Sequence, residues 1–431
     1  MNTTPKGNKV RVFDRYQVFV IAILAILQFS IVLDFMVLSP LGAQLIEELD
    51  ISTRQFGWVV SAYAFSAGFS GILAAGFADR FDRKKLLLFF YTGFIVGTGL
   101  CGLAPDYHFL LGARIVTGLF GGVISAISFA IITDLFALEV RGRVMGFVQM
   151  AFSVSQIMGI PVGLYLANHW GWHAPFLMIT GVSVLVGLAI MVYLKPIDAH
   201  LAHVTRENPF RHVQRTVSQS RYLKAFVATT LLATGGFMLM PFASAFSVYN
   251  LGISLEELPL VYLITGIASL IAGPLAGRLS DSIGKYKMFC IGTLLSIVLV
   301  LIYTNLGITP LWLVIVLNVI MFVGVSSRMI TASALMTAVP EPQERGAFMS
   351  VNSSVQQVSG GIAAAVAGLI VVQTSSGVLE HYNTLGYVVV GAMLITIGMM
   401  YMIHRYVMDV RDTGRASEVV TGETKSPVKA A

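Results

Sequence analysis

Apolar residues along this chain do not alternate with polar ones, nor do they return once per helical turn. They run in long stretches, near 17–46, 55–78, 85–104, 107–136, 143–168, 173–194, 222–250, 257–279, 286–305, 309–338, 346–373 and 383–404. A helix crossing ~30 Å of hydrocarbon needs about 20 mostly apolar residues, whereas a membrane barrel would show alternating stretches of about ten. The pattern therefore predicts an all-α membrane protein with twelve transmembrane spans. Composition agrees, with 56% of the 431 residues apolar and 12% charged, against about a quarter charged in soluble domains. Cys101 and Cys290 both fall inside apolar runs, so no disulfide framework or Cys-rich metal site is expected. No cleavable signal is expected either, because the run after Arg15 is far longer than a signal peptide's.

Charge orients the spans. With both termini placed in the cytoplasm, 25 of the 28 Lys and Arg residues fall in cytoplasmic segments, as the positive-inside rule requires. The exceptions are Arg54 in the first outer loop and two cations inside spans, Arg114 and Arg328. The longest connection, 195–221, is polar and basic and divides six spans from six. The expected organisation is a cytoplasmic N-terminal segment (1–16), a six-helix bundle (17–194), a cytoplasmic linker (195–221), a second six-helix bundle (222–404) and a cytoplasmic, disordered tail (405–431).

The two bundles look like copies. GFADRFDRKKLLLF follows the second span and GRLSDSIGKYKMF the eighth, with Asp281 standing 202 residues after Asp79; RGRVMGF and RGAFMSV follow the fourth and tenth, with Arg345 standing 204 after Arg141. Two matches at nearly one offset indicate an internal repeat. An offset of six spans gives both copies the same orientation, related by an axis along the membrane normal.

Twelve spans in two parallel halves, with this loop after the second and eighth, resemble the major facilitator superfamily over about residues 15–405. That family's loop reads Gly-x-Leu-Ala-Asp-Arg-x-Gly-Arg-Lys. The second copy here keeps Gly277, Leu279, Asp281, Gly284 and Lys285; the first keeps Asp79, Arg80, Arg83 and Lys84 but carries Ala75 and Asp82 where glycines are usual. LDFMVLSPLGAQL in the first span, Arg114 to Gly118 in the fourth and GIPVGLYLANHWGWHAPF through the fifth are similar to the proton-driven drug and sugar efflux branch, although His173 stands where an arginine is common. The resemblance implies two parallel six-helix pseudo-repeats around a central cavity. It also implies a coupling role for Arg114, and a cytoplasmic gate built from Asp79, Arg80, Arg83, Asp134, Gly277, Asp281, Gly284 and Lys285.

Few residues inside the spans can carry chemistry. Asp34 is the single acidic residue well inside the hydrocarbon, 13 residues before Glu47 and so about 20 Å deep. A carboxylate there must be paired, wetted or protonated, which suits a proton carrier; the plainer reading is a hydrogen-bonded pin between helices. Arg114, eight residues after Asp106, lies at a depth compatible with a pair to Asp34, or snorkels to the interface. Arg328, ten residues before Ala338, has no acidic residue at its depth in its own half. It is expected either to bind an electron-rich cargo group in the cavity or to bond backbone carbonyls at a helix break. With one negative and two positive charges in the core, dedicated polycation export is disfavoured. Gln28, Gln149, Gln156, Asn318, Asn352, Gln356 and Gln357 are candidates to line the cavity or to join helices. Phe237, Met238 and Met240 suit an adaptable cargo surface or ordinary packing. Gly159, Pro161 and Gly163 allow the fifth span to bend and to approach its neighbours.

No Gly-x4-Gly-Lys-Ser/Thr loop, His-Glu-x2-His pair or paired intramembrane aspartates occur, so a primary pump and an intramembrane enzyme are disfavoured; a duplicated bundle without a filter-like loop speaks against a channel. The expectation is a monomeric secondary transporter in the cell membrane, the bacterial inner membrane, working by alternating access. It needs no cofactor beyond the proton gradient, contacts a small-molecule substrate, protons and lipid but no nucleic acid, and exports a small amphipathic molecule such as a drug or sugar in exchange for protons. Proton-linked or facilitated uptake of a small organic, including anionic, solute is the alternative.

Overall fold

The computed structural model describes residues 13–75, 80–198, 201, 218–340, 345–374 and 376–420. Among them, twelve helical segments are long and apolar enough to cross a membrane. Span one is Arg15–Val37, followed by a short helix, Gly42–Glu48; span two is Thr53–Ala75, span three Arg83–Gly102 and span four Tyr107–Leu135. Span five joins Leu138–Val154 to Ile160–Trp170, and span six is His173–Tyr193. Span seven joins Ser220–Phe237 to Ala243–Tyr249; spans eight to eleven are Leu258–Ile283, Lys285–Tyr303, Leu311–Met336 and Arg345–Ile370. Span twelve opens the helix Tyr382–Val420, which runs past the expected end near 404 into the segment expected to be disordered. No proline interrupts the chain there before Pro427, so nothing local stops the helix.

Aspartates start several of these helices. Asp14 accepts from the Gln17 backbone N–H at 2.6 Å while the Gln17 side chain reaches back at 3.1 Å, closing a capping box. Asp106 caps span four through Phe109 N–H at 3.0 Å. Asp82, standing where the family pattern has glycine, caps span three through Lys85 N–H and also accepts from Ile197 N–H, both at 2.9 Å. Its φ of −55° needs no glycine. Gly284, between spans eight and nine, does, because its φ is +100°.

Three spans expected as continuous runs are interrupted. Span one breaks after Val37 around Pro40, and span seven breaks at Met238–Phe242 around Pro241; proline removes an N–H and blocks the preceding turn. Span five carries a π-helical turn, Ser155–Gly159, just before Pro161. The breaks in spans one and seven meet. Ser39 donates its hydroxyl to the Met240 carbonyl, and the Ser244 hydroxyl donates to the Ser39 carbonyl at 2.9 Å, so each break satisfies carbonyls the other frees.

The six spans of each half pack mainly on one another, and the halves touch along spans two and eleven and along spans five and eight. The connections rich in Lys and Arg all lie at one end of the bundle, here called the basic end. Between described residues, the hydrogen bonds that join the halves all lie toward the other end, the far end. Besides the two serine bonds, Thr53 donates to the Val371 carbonyl at 2.5 Å, Ser61 to the Gly361 carbonyl at 2.8 Å and Asn168 to the Leu255 carbonyl at 2.7 Å. Tyr249 reaches Glu47 at 3.0 Å and the Ala43 carbonyl at 3.4 Å. Toward the basic end, spans two and eleven stay close, Gly68 against Val358, while span eight leans chiefly on the Ser155–Trp170 stretch of span five.

Spans two and four come together so tightly that a Cβ at Gly118 would sit 2.4 Å from the Tyr63 carbonyl oxygen and 2.1 Å from the Ser66 hydroxyl. Gly118→Ala should therefore lower stability by about 1–3 kcal/mol through overpacking. Gly112→Ala, on the same helix with nothing within 4 Å, should be neutral or slightly stabilising. Thermal melting in detergent checks this; equal melting temperatures for the two variants would contradict the close packing.

Candidate functional site

Four spans of the first half converge on Asp34. Its carboxylate Oδ2 lies 2.9 Å from Arg114 Nη1, and its Oδ1 accepts the Thr98 hydroxyl at 3.1 Å. The same guanidinium nitrogen lies 3.5 Å from the Asp34 backbone carbonyl, and the guanidinium carbon sits 4.6 Å above the Tyr63 ring. Asp34 is 0% exposed and Arg114 1%. Arg114 Nε has no hydrogen-bond partner.

Local structure explains the convergence. Asp34 stands one turn before the break in span one, so it hangs at the end of a straight helix and not midway along the unbroken 30-residue run the sequence suggests. Arg114 stands two turns into span four, whose start Asp106 fixes, and Thr98 stands one turn from the end of span three. Neither Thr98 nor Tyr63 was singled out from the sequence. A lone hydroxyl between glycines and one tyrosine among fifteen carry no signal until the spans are packed.

Such a pair is a two-state element. Ionised, the two groups cancel in a medium where either charge alone would be costly; protonating Asp34 removes the counter-charge and releases the guanidinium from its partner.

Arg328 lies elsewhere, in the second half, 2% exposed. The structure does not place it in water, nor bonded to carbonyls at a helix break. It points at Gly235 of span seven, where a Cβ would lie 3.1 Å from its Nη1, and its Nε and Nη2 have no hydrogen-bond partner.

The polar set is divided among other tasks. Gln28 accepts from Ser125 at 3.0 Å and Asn352 from Thr229 at 2.6 Å, each joining two spans of its own half. Asn318 donates to the Val314 carbonyl at 2.9 Å and lies 3.5 Å from the Tyr303 hydroxyl. Gln156, Gln356 and Gln357 are half-buried and Gln149 is exposed. Phe237 packs against Phe35 across the halves, ring centroids 5.8 Å apart; Met238 is buried and Met240 half-buried at the break of span seven. Gly159 and Gly163 face Leu33 and Val37 of span one, with Pro161 between them opening the second segment of span five.

At the basic end, Asp79 lies outside the described residues, as does most of the linker. Arg83 is buried and pairs with Asp134 at 3.1 Å. Arg141 closes span four by donating to the Phe136 carbonyl at 2.8 Å and the Thr133 carbonyl at 2.5 Å. Arg80, Asp281, Gly284 and Lys285 are exposed, and Gly277 has open space around it.

Comparison with known proteins accounts for this architecture. The MFS-type transporter YceJ of Bacillus subtilis (strain 168) is 28% identical over 270 residues, 62% of this chain and 68% of its own length. Multidrug resistance protein 3 of the same organism is 30% identical over 144 residues, 33% of this chain and 28% of its own length. Among solved structures, a D-xylose–proton symporter superposes with a TM-score of 0.71 at 16% identity, covering 88% of this chain and 97% of that one. An inward-facing, unoccupied bacterial homologue of the human lysosomal transporter Spinster gives 0.68 at 16% identity, covering 92% and 97%. Both solved structures share the fold. The family model described as Major Facilitator Superfamily matches twice, over residues 24–226 and 225–429. The chain belongs to the Major Facilitator Superfamily, as a multi-pass membrane transporter and not an enzyme.

Proposed function

We propose that this transporter is a proton-coupled antiporter that exports a small amphipathic molecule across a cell membrane, the bacterial inner membrane, with the basic end and both termini in the cytoplasm. The Asp34–Arg114 ion pair carries the proposal. Among the described residues it is the one ion pair deep within the spans, Arg83–Asp134 lying at their basic ends; it is sealed from water, and its charge changes by one when a proton binds. The likeness to Multidrug resistance protein 3 over part of its length supports the efflux direction, and the distribution of Lys and Arg supports the orientation.

The cycle follows from the energetics of the pair. With Asp34 ionised the core is neutral at this point and the two groups hold spans one and four together. A proton arriving on Asp34 leaves the Arg114 charge without its partner, a state that favours opening toward water. Release of that proton on the other side restores the pair. Arg83 with Asp134, and Asp79 four residues before Arg83, serve as the cytoplasmic gate that closes in the opposite half of the cycle. Gln28, Asn318, Asn352, Gln356 and Phe237 contribute polar and aromatic surface toward the cargo path.

Asp34→Asn keeps the shape of the side chain and cannot ionise. It should lower pH-driven flux in everted vesicles more than tenfold. Because it strands Arg114, it should also cost stability, which the double variant Asp34→Asn/Arg114→Gln should recover without recovering flux. Undiminished pH-driven flux through Asp34→Asn would remove Asp34 from the mechanism. Cargo moving with protons instead of against them would replace export by uptake.

The serine bonds at the far end hold that side shut. Removing both in Ser39→Ala/Ser244→Ala should cost the closed arrangement about 1–3 kcal/mol, and so raise the labelling rate of a cysteine placed at Phe35 by about tenfold. An unchanged rate would show that these bonds do not set the balance.

A further inference from the structure

One cation in the spans, Arg328, has no acidic residue at its depth in its own half. Spans seven, nine, ten and eleven contain no Asp or Glu, and those of spans eight and twelve stand near or beyond the ends: Asp281 near the close of span eight, and Asp409, Asp412 and Glu418 at the close of the last helix. Asp34 is engaged by Arg114. Arg328 is nevertheless 2% exposed, and its Nε and Nη2 are unpartnered. The nearest hydroxyls on its own helix are spent on that helix, Ser327 on the Val323 carbonyl and Thr331 on the Ser327 carbonyl, both at 2.7 Å. A desolvated guanidinium without a counter-charge is among the least stable arrangements a protein can hold.

Its fork lies against span seven. A Cβ at Gly235 would lie 3.1 Å from Nη1, 3.5 Å from Nη2 and 3.7 Å from the Met393 methyl, so the guanidinium edge occupies the space a side chain at Gly235 would take. The backbone N–H side of Arg328 is pressed against Gly292, 3.1 Å from where its Cβ would stand, which anchors the base of the side chain. Among the described residues no carboxylate of the second half stands at this depth. A bound anion would supply the missing charge.

We propose that Arg328 and Gly235 form an anion seat whose occupant is the carboxylate of the cargo. This rests on the transporter reading and narrows it: the amphipathic molecule moved carries a planar oxyanion. The planar guanidinium fork matches a carboxylate with two parallel N–H···O bonds, and Nε and Nη2, the two nitrogens on one edge of the fork, are the unpartnered donors. A free inorganic anion such as chloride would satisfy the same charge, so the two sources have to be separated.

The full-length chain in detergent micelles is titrated with sodium benzoate, with benzyl alcohol as its uncharged counterpart, and with chloride exchanged for sulfate at constant ionic strength. The melting temperature is followed, and a pH dye in the same preparation reports proton binding. Benzoate should raise the melting temperature saturably, with little effect from benzyl alcohol or chloride. Arg328→Lys keeps the charge and most of the stem but loses the fork, and should weaken the benzoate response about ten- to a hundredfold. Gly235→Ala keeps the guanidinium but presses a methyl against Nη1, displacing the fork, and should weaken the benzoate response severalfold while the protein remains monodisperse. Asp34→Asn should lose the proton signal and keep the benzoate response, so loss of coupling and loss of the seat are read separately. Equal benzoate responses in wild type, Arg328→Lys and Gly235→Ala would overturn the seat, as would no response to benzoate or chloride in wild type. Saturable stabilisation by chloride that benzoate only competes away would assign the seat to an inorganic anion and overturn the cargo carboxylate.

Discussion

Hydrocarbon offers no hydrogen bonds, and that decides where this chain can bend. A helix that stops inside the bundle frees carbonyls that water cannot reach. Spans one and seven both stop there, at Pro40 and Pro241, and the cost is contained because the two breaks face each other. Ser39 serves a carbonyl of span seven, and Ser244 serves the Ser39 carbonyl. Asp34 sits one turn before the first break and Phe237 at the second, so the irregular backbone places both beside the seam between the halves. The same rule disfavours unpaired side chains, and the buried hydroxyls of Thr117, Ser128, Thr293 and Thr396 fold back onto carbonyls of their own helices.

Duplication kept the frame and dropped the charges. At an offset of 204 from Arg114 stands Asn318, and at 203 from Asp34 stands Phe237. Where the first half holds an ion pair with a threonine, the second holds a neutral chain from Asn318 to Tyr303 to Ser247, the last link 3.0 Å long. A neutral network offers no charge for a proton to cancel, so on the proposed mechanism proton sensing falls to the first half. The second half has its own cation about three turns nearer the basic end, without a partner. On the same reading the halves differ in what each responds to, a proton in the first and an anion in the second. A ligand that alters one half must act on the other through their shared contacts.

Much of this was legible in the residues. Long apolar runs and their count depend only on the thickness of a bilayer, and the loop repeats survive because they are short and local. The depth of Asp34 and Arg114, reckoned from the span ends, was enough to make a pair geometrically admissible. What could not be read was lateral: which face of each helix turns toward which neighbour. Thr98 and Tyr63 complete the Asp34 site from spans two and three, yet nothing sets them apart from other hydroxyl and aromatic residues in those spans. Arg328 was expected in a cavity or at a helix break and lies against Gly235 instead, because the glycine that makes room for it is 93 residues away in sequence. The prolines were visible, but that two of them would meet was not.

The seam sets the scale of energy that transport must supply. Between described residues the halves are joined by hydrogen bonds only toward the far end, each worth about 0.5–1.5 kcal/mol net. Spans two and eleven, by contrast, stay in contact along small residues, from Gly57 against Gly368 to Gly71 near Ser354. Small residues packed backbone to backbone can slide or tilt, and the hydrogen bonds of Thr53 and Ser61 across this seam lie toward its far end, so its basic-end stretch is suited to act as the pivot while spans five and eight separate. Opening the far end would then cost several kcal/mol in hydrogen bonds. Inverting a two-state balance from 1:99 to 99:1 takes about 5.5 kcal/mol of differential binding. Relief of one buried unpaired charge is worth a comparable amount. Pairing or unpairing a single guanidinium would supply energy on that scale, and each half holds one deep within its spans, Arg114 and Arg328.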